Sequence, residues 1–188
     1  DNLNGPNVIN SKGAIHYLTL DEINKEKNYL ENKLEKNKDI ITLILGGPTN
    51  YYDYSNENII RIFSKINKHL IEKNLQLIFI PSNRTPKQTI TFAKEYFNKS
   101  RLIIDTVDKR AYLSSLALSK YIVVSCDSSS MISEAALTGK PVYVAMIPPR
   151  KNDKRFQKFR NLFKDLNIIK ELGEELTIWN YESLNETS

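Results

Sequence analysis

The pattern of apolar runs in this sequence of 188 residues predicts a doubly wound α/β fold built on a parallel sheet. Three observations carry the prediction. Five short runs, Ile40 to Leu45, Leu75 to Ile80, Leu102 to Ile104, Tyr121 to Ser125 and Pro141 to Ala145, are almost unbroken by polar residues, as strands buried on both faces are. Segments of helical periodicity fill the gaps between them, and that alternation is what crossover connections between parallel strands require. Three of the runs end in loops rich in Gly, Pro, Ser and Asn, all on the edge where such sheets bind ligands.

Taken in order, Thr19 with Glu22 reads as a capping box that opens a helix striped by Ile23, Leu30 and Leu34, ahead of the first strand. Ile59, Ile62, Ile66 and Leu70 form one helical stripe between the first two strands. Thr85-Pro86-Lys87-Gln88 reads as a second capping box with proline at the first helical position, predicting a helix to about Phe97. Asp108 begins another, carrying Tyr112, Leu113 and Leu116. After Tyr121 to Ser125, Asp127 or Ser128 can cap a helix of about three turns, which Gly139-Lys140-Pro141 ends. No internal repeat, low-complexity linker or domain boundary interrupts this rhythm, so residues 1–188 read as a single Rossmann-like domain.

A chain of this length buries roughly 70 percent of its unfolded surface and needs no staple. Its single cysteine, Cys126, cannot form an internal disulfide and fits a reducing, cytoplasmic setting. His16 and His69 lack ligand-spaced neighbours, so no metal site is expected. No window approaches the roughly 20 apolar residues that span a bilayer. The opening lacks an initiator Met, which suggests a piece of a longer protein.

The formal charge of +5 is concentrated in residues 150–164, which hold seven Lys or Arg against one Asp. Phe156, Phe159, Leu162, Phe163 and Leu166 recur there at helical spacing, making a basic amphipathic helix. Such a helix packs its apolar stripe on the core and hydrates the rest, or presents its cations to anionic lipid or to ligand phosphates. Its aromatics do not interleave with the cations as a base-stacking platform would require, so nucleic acid is not an expected partner.

The three marked strand ends supply the candidate site. In the first, Gly46 and Gly47 let a backbone approach a ligand closely, and Thr49 and Asn50 are donors. In the second, Ser82, Arg84 and Thr85 stand at a helix start, where a guanidinium pairs with phosphate or carboxylate. In the third, Ser128, Ser129 and Ser130 line a helix tip whose unpaired amides and partial positive charge suit a diphosphate. Glu134 lies four residues after Ser130 and shares its face, so a carboxylate one turn behind the tip fits ribose hydroxyls. The plainer alternative pairs a solvated Glu134 with Lys140 and leaves the serines as caps. Turn chemistry alone also calls for such residues in any one loop, but three loops on one edge point to a site. The Gly-Gly pair matches neither nucleotide-hydrolase nor dinucleotide fingerprints, so ATP hydrolysis and NAD binding have no support.

The Gly-Gly loop, the Ser-x-Arg-Thr-Pro turn, then Asp-Ser-x-Ser-Met-x-Ser-Glu-Ala with Thr-Gly-Lys-Pro-Val-Tyr-Val resemble the mitochondrial-fission "elongated mitochondria" family. The opening Gly-Pro-Asn-Val-Ile and Gly-Ala-Ile-His, and the closing Trp179-Asn180-Tyr181 with Leu184-Asn185-Glu186-Thr187, extend the likeness over the whole chain. That family in turn resembles glycosyltransferases of the GT-B fold, in which two Rossmann-like domains face across a cleft and the second holds the nucleotide-sugar donor. The resemblance implies that this chain is the donor half, with Ser130, Glu134 and Ala135 where such transferases hold ribose and diphosphate. It implies a nucleotide-diphosphate sugar as substrate, no cofactor, and an N-terminal acceptor domain that supplies the catalytic base. No Asp-x-Asp motif is present, so metal-independent transfer is expected. Asn83 and Lys120-Tyr121 depart from the family pattern. Two rivals share the fold: a membrane-associated adaptor acting through residues 150–164, and a sugar-nucleotide epimerase. His16 is the near-neutral titrating candidate of the opening segment, and a packed or surface role is its plainer reading.

Overall fold

The computed structural model describes residues 18–184. All five predicted strands are present within a residue or so of their expected bounds: β1 (Ile40–Leu45), β2 (Gln76–Pro81), β3 (Arg101–Ile103), β4 (Tyr121–Ser125) and β5 (Val142–Ala145). A sixth, β6 (Ile169–Glu171), was not expected; one of its three residues is buried and two are exposed and charged, so it leaves no apolar run to read. Each pairing between these strands is parallel, in the order β3-β2-β1-β4-β5-β6. β1, β2, β4 and β5 are buried along their whole length, as helices covering both faces of a parallel sheet dictate.

The helices are α1 (Leu20–Lys25), α2 (Asn28–Glu31), α3 (Asn56–Glu72), α4 (Lys87–Tyr96), α5 (Lys109–Leu118), α6 (Ser129–Ala136) and α7 (Lys154–Asp165). Thr19 and Glu22 form the expected capping box of α1. Ile59, Ile62, Ile66 and Leu70 are all buried, and Phe63 beside them gathers Phe79, Phe92, Tyr96 and Phe97 into an aromatic cluster between α3, α4 and β2. α5 packs over β1 and β2 and is itself covered by α1 and α2. Gly139 adopts the left-handed conformation (φ 68°) that ends the α6 segment, as expected. The chain leaves β1 toward β2 and leaves β4 toward β5, so the carboxyl ends of the neighbouring strands β1 and β4 form a topological switch point.

Two helix expectations need correction. Thr85 does not cap α4: Pro86 occupies the cap position and the helix begins at Lys87. The buried Thr85 hydroxyl instead accepts from the Ser82 amide (2.8 Å) and reaches the carbonyls of Gly46 (2.6 Å) and Leu45 (3.0 Å). Those acceptors lie at a buried strand end, which makes them costlier to abandon than an exposed helix amide. In α7, Phe163 is buried as expected, but Leu162 and Leu166 are 39% and 36% exposed and Arg160 takes the interior position. Arg160 donates to Asp153 (3.0 Å) and to the Tyr52 hydroxyl (3.0 Å), which itself donates to Asp153 (2.5 Å). That buried triad fixes α7 against the loop after β1. The hydrogen bonds from Tyr52 and Arg160 outweigh the effect of burial, which acts to raise the Asp153 pKa, and hold its carboxyl below the ordinary range.

Candidate functional site

At the switch point the polar groups are turned inward. Asp127, whose side chain is fully buried, accepts from the Tyr54 hydroxyl (2.5 Å), the Gly47 amide (3.2 Å) and Arg84 Nη2 (2.8 Å). Arg84 Nη1 donates to the Gly47 carbonyl (2.9 Å), and the Gly46 amide donates to Ser125 Oγ (2.8 Å). The glycines are needed for this closeness. A Cβ on Gly46 would lie 2.0 Å from Asp127 Oδ2, and one on Gly47 would lie 2.0 Å from the Arg84 carbonyl. Burial, then the neighbouring Asp127 charge, pushes the Tyr54 phenol far above its ordinary range, so it stays a donor. Thr49 accepts from the amides of Tyr51 and Tyr52, closing its own turn, and Asn50 is exposed. Burial pushes the Cys126 thiol up to about 12, which keeps it protonated and unreactive at neutral pH.

Beside this closed corner lies an open groove. It is a cavity of about 270 Å³ between the loop after β2 and the N-terminal turns of α5 and α6, with Ile44 and Ile80 at its floor. Ser82 and Asn83 line one wall, Val107, Asp108, Lys109 and Tyr112 another, and Ser130, Met131 and Glu134 the third. Ser128 is the cap of α6, accepting from the Met131 amide (3.3 Å), so the serine and not Asp127 takes that role. The amides of Ser129 and Ser130 occupy the first two helical positions and have no acceptor within the helix.

Glu134 does not pair with Lys140. The Lys140 ammonium is drawn to the last carbonyls of α5, at Leu116 (2.7 Å) and Ala117 (2.6 Å), and burial lowers its pKa to about 8. Glu134 instead receives a hydrogen bond from the Tyr112 hydroxyl across the α5–α6 boundary. Burial, and then the adjacent carboxylate, raises the Tyr112 phenol well above its usual value. Asp108 caps α5 through the Ala111 amide (3.1 Å) and accepts from Tyr29 (2.7 Å).

Of the residues expected at the site, Ser82, Ser130 and Glu134 line the groove together. Gly46, Gly47, Arg84 and Thr85 form the adjoining closed corner, Ser128 and Ser129 begin α6 between the two, and Thr49 and Asn50 lie in the turn beyond. His16 and the opening motifs lie outside the described residues. The sequence reading missed Val107, Lys109, Tyr112 and Met131 as groove residues, and Asp127 as the hub of the corner. Tyr112 is carried on its helix beside Leu113 and Leu116, and only the position of α6 turns its hydroxyl into a partner for Glu134.

A family model described as mitochondrial fission ELM1 matches residues 1–188. The chain belongs to the mitochondrial fission ELM1 family. Among curated proteins this ELM1 family member is similar to Uncharacterized protein RP120 of Rickettsia prowazekii, with 27% identity over 95% of this chain and 52% of that protein. The chain thus spans about half the length of that relative. Its fold resembles part of a UDP-GlcNAc 2-epimerase from Neisseria meningitidis bound to UDP-GlcNAc (TM-score 0.53, 15% identity, 83% of this chain and 37% of that one). It likewise resembles part of the S. aureus MnaA–UDP co-structure (TM-score 0.54, 16% identity, 81% and 40%). At such identity the likeness is one of fold: a Rossmann-like α/β domain of the GT-B kind.

Proposed function

We propose that this chain is the nucleotide-sugar donor domain of a metal-independent, GT-B-like glycosyltransferase whose acceptor domain lies outside the sequence. One observation carries the reading: in a groove at the carboxyl edge of the sheet, Glu134 lines the same cavity as Ser130, one helical turn behind the tip of α6. The amides of Ser129 and Ser130 take the diphosphate, where fixed dipoles stabilise the charge that builds as the sugar departs. Glu134 takes the ribose hydroxyls. The base enters between Asn83 and Val107. Gly46, Gly47 and Thr85 set the height of the adjoining wall. Arg84 contributes as an oriented donor more than as net positive charge, because Asp127 balances it. Two of the similar solved structures hold UDP or UDP-GlcNAc, which supports a nucleotide in this groove and makes UDP the first probe.

Thermal melts against UDP, GDP, CMP, ADP and their sugars test the reading. A ligand at about 100 times its Kd adds roughly 2.7 kcal/mol, a rise of about 5 to 10 °C for a domain of this size. Glu134→Ala cuts that rise to about half or less, the effect of a roughly tenfold or greater loss of affinity. A wild-type melt unmoved by every nucleotide contradicts the proposal.

A second reading, a membrane-docked adaptor, is favoured by α7. Lys154, Arg155 and Lys158 are exposed with no acidic partner among the described residues, beside the exposed Leu162 and Leu166. No helix among the described residues is long and apolar enough to cross a membrane, so contact would be peripheral. On this reading, flotation with anionic liposomes is salt-sensitive and is lost when Arg155 and Lys158 are both changed to Glu. Flotation unaffected by the reversal counts against it.

A further inference from the structure

We propose that Tyr112 is a positioning residue, tethering the Glu134 carboxylate so that the groove prefers a ribose over a sugar lacking the 2′ and 3′ hydroxyls. This rests on the nucleotide reading of the groove given above. The Tyr112 hydroxyl donates to Glu134 Oε2, and that is the only hydrogen bond the Glu134 side chain makes among the described residues. Oε1 is therefore left to accept from a ligand. Each carboxylate oxygen is acceptor-only when ionised, so a vicinal diol, which brings two donors on adjacent carbons, is the chemistry that fits.

The tether matters because the carboxylate has somewhere else to go. A second cavity of about 350 Å³ adjoins the groove, lined by Leu18, Glu22, Lys109, Tyr112, Leu113 and Glu134. Lys109, Tyr112 and Glu134 line both cavities and form the partition between them. Released from Tyr112, a flexible Glu side chain can turn toward the Lys109 ammonium and away from the ribose position. Pre-setting one rotamer removes an ordering cost that binding would otherwise carry. Tyr112 sits on α5 and Glu134 on α6, so the tether also ties together the two helices that flank the groove.

Isothermal titration with UDP, GDP, CDP and ADP, each paired with its 2′,3′-dideoxy counterpart, tests the inference. Wild type is expected to prefer the ribo form by roughly tenfold or more, the range of a hydrogen bond to a charged group. In Tyr112→Phe that preference falls to about two- to threefold while affinity for the dideoxy form is unchanged. An undiminished preference, or equal weakening of both forms, overturns the tether, the second outcome marking Tyr112 as merely structural. Wild-type binding without any ribo preference also overturns it, while leaving a nucleotide site standing. Wild-type protein that binds none of the four overturns the nucleotide reading and this inference together. Tyr112→Leu reads the same ratio should the Phe variant fail to fold.

Discussion

The closed corner at Asp127 and the open groove at Glu134 are both built from polar loops at the carboxyl edge of one sheet, yet they allocate their hydrogen bonds in opposite ways. Asp127 has three donors from two loops, Gly47 and Tyr54 after β1 and Arg84 after β2, and no exposed side-chain surface. Glu134 has one donor and faces a cavity. A buried carboxylate with all its partners inside the chain is a structural joint. A carboxylate with an oxygen to spare, beside helix-tip amides that have no acceptor within their helix, is on the proposed reading the one that takes a ligand. The difference between joint and site is a count of partners, not of polar residues.

The sharpest attempt to break this comparison is Gly47→Ala. The added methyl meets a backbone carbonyl that cannot swing aside, so about 3 kcal/mol or more of stability and roughly 6 to 12 °C in Tm are expected to be lost with no ligand present. Asp127→Ala comes next. It strands the buried Gly47 amide and leaves the Tyr54 hydroxyl with Ser125 Oγ (3.0 Å) as its partner, and a loss of about 2 to 3 kcal/mol in urea unfolding is expected, the Arg84 share being discounted because that side chain is 42% exposed. Glu134→Ala takes away the acceptor of the Tyr112 hydroxyl, but both side chains line a groove that water can enter and replace it, so the ligand-free stability stays within about 1 kcal/mol of wild type. Should Glu134→Ala melt as low as Asp127→Ala, Glu134 is a joint too and the contrast collapses.

Alkaline pH sharpens the comparison by a smaller margin. The Tyr54 and Tyr112 phenols are both raised in the folded chain, chiefly by burial and then by Asp127 and Glu134 respectively. Unfolded tyrosine ionises near pH 10, so their contribution is complete below about pH 10 and is lost as pH climbs toward the folded values, because only the unfolded chain gives up protons there. Each raised tyrosine adds at most about 1.4 kcal/mol per pH unit to the fall. Tyr54→Phe and Tyr112→Phe should each flatten the slope of denaturant-derived stability between pH 10 and 11. An unaltered slope in either variant shows that its phenol ionises equally in both states.

Much of the fold was legible because its signals are local. Four strands buried on both faces leave almost unbroken apolar runs, and the α3 stripe and the α1 capping box follow from spacing alone. β6 was not legible, because an edge strand of three residues with one buried side chain has no pattern to detect. Nor was the orientation of α7. Amphipathic spacing placed Leu162 and Leu166 inward, whereas Asp153 and Tyr52, the latter 108 residues away in sequence, draw Arg160 in instead.

The sequence by itself determined the α/β class, the order of helix and strand, and the three polar loops on one edge, since burial periodicity and turn chemistry act over a few residues. The tertiary structure alone decided which of those polar residues face one another. Thr85 bonds to carbonyls 39 and 40 residues before it, Gly47 to a carboxylate 80 residues on, and Glu134 to a phenol 22 residues back. Hydrogen bonds fall off within a few tenths of an ångström, so these partnerships exist only once packing has fixed the helices and loops that carry them.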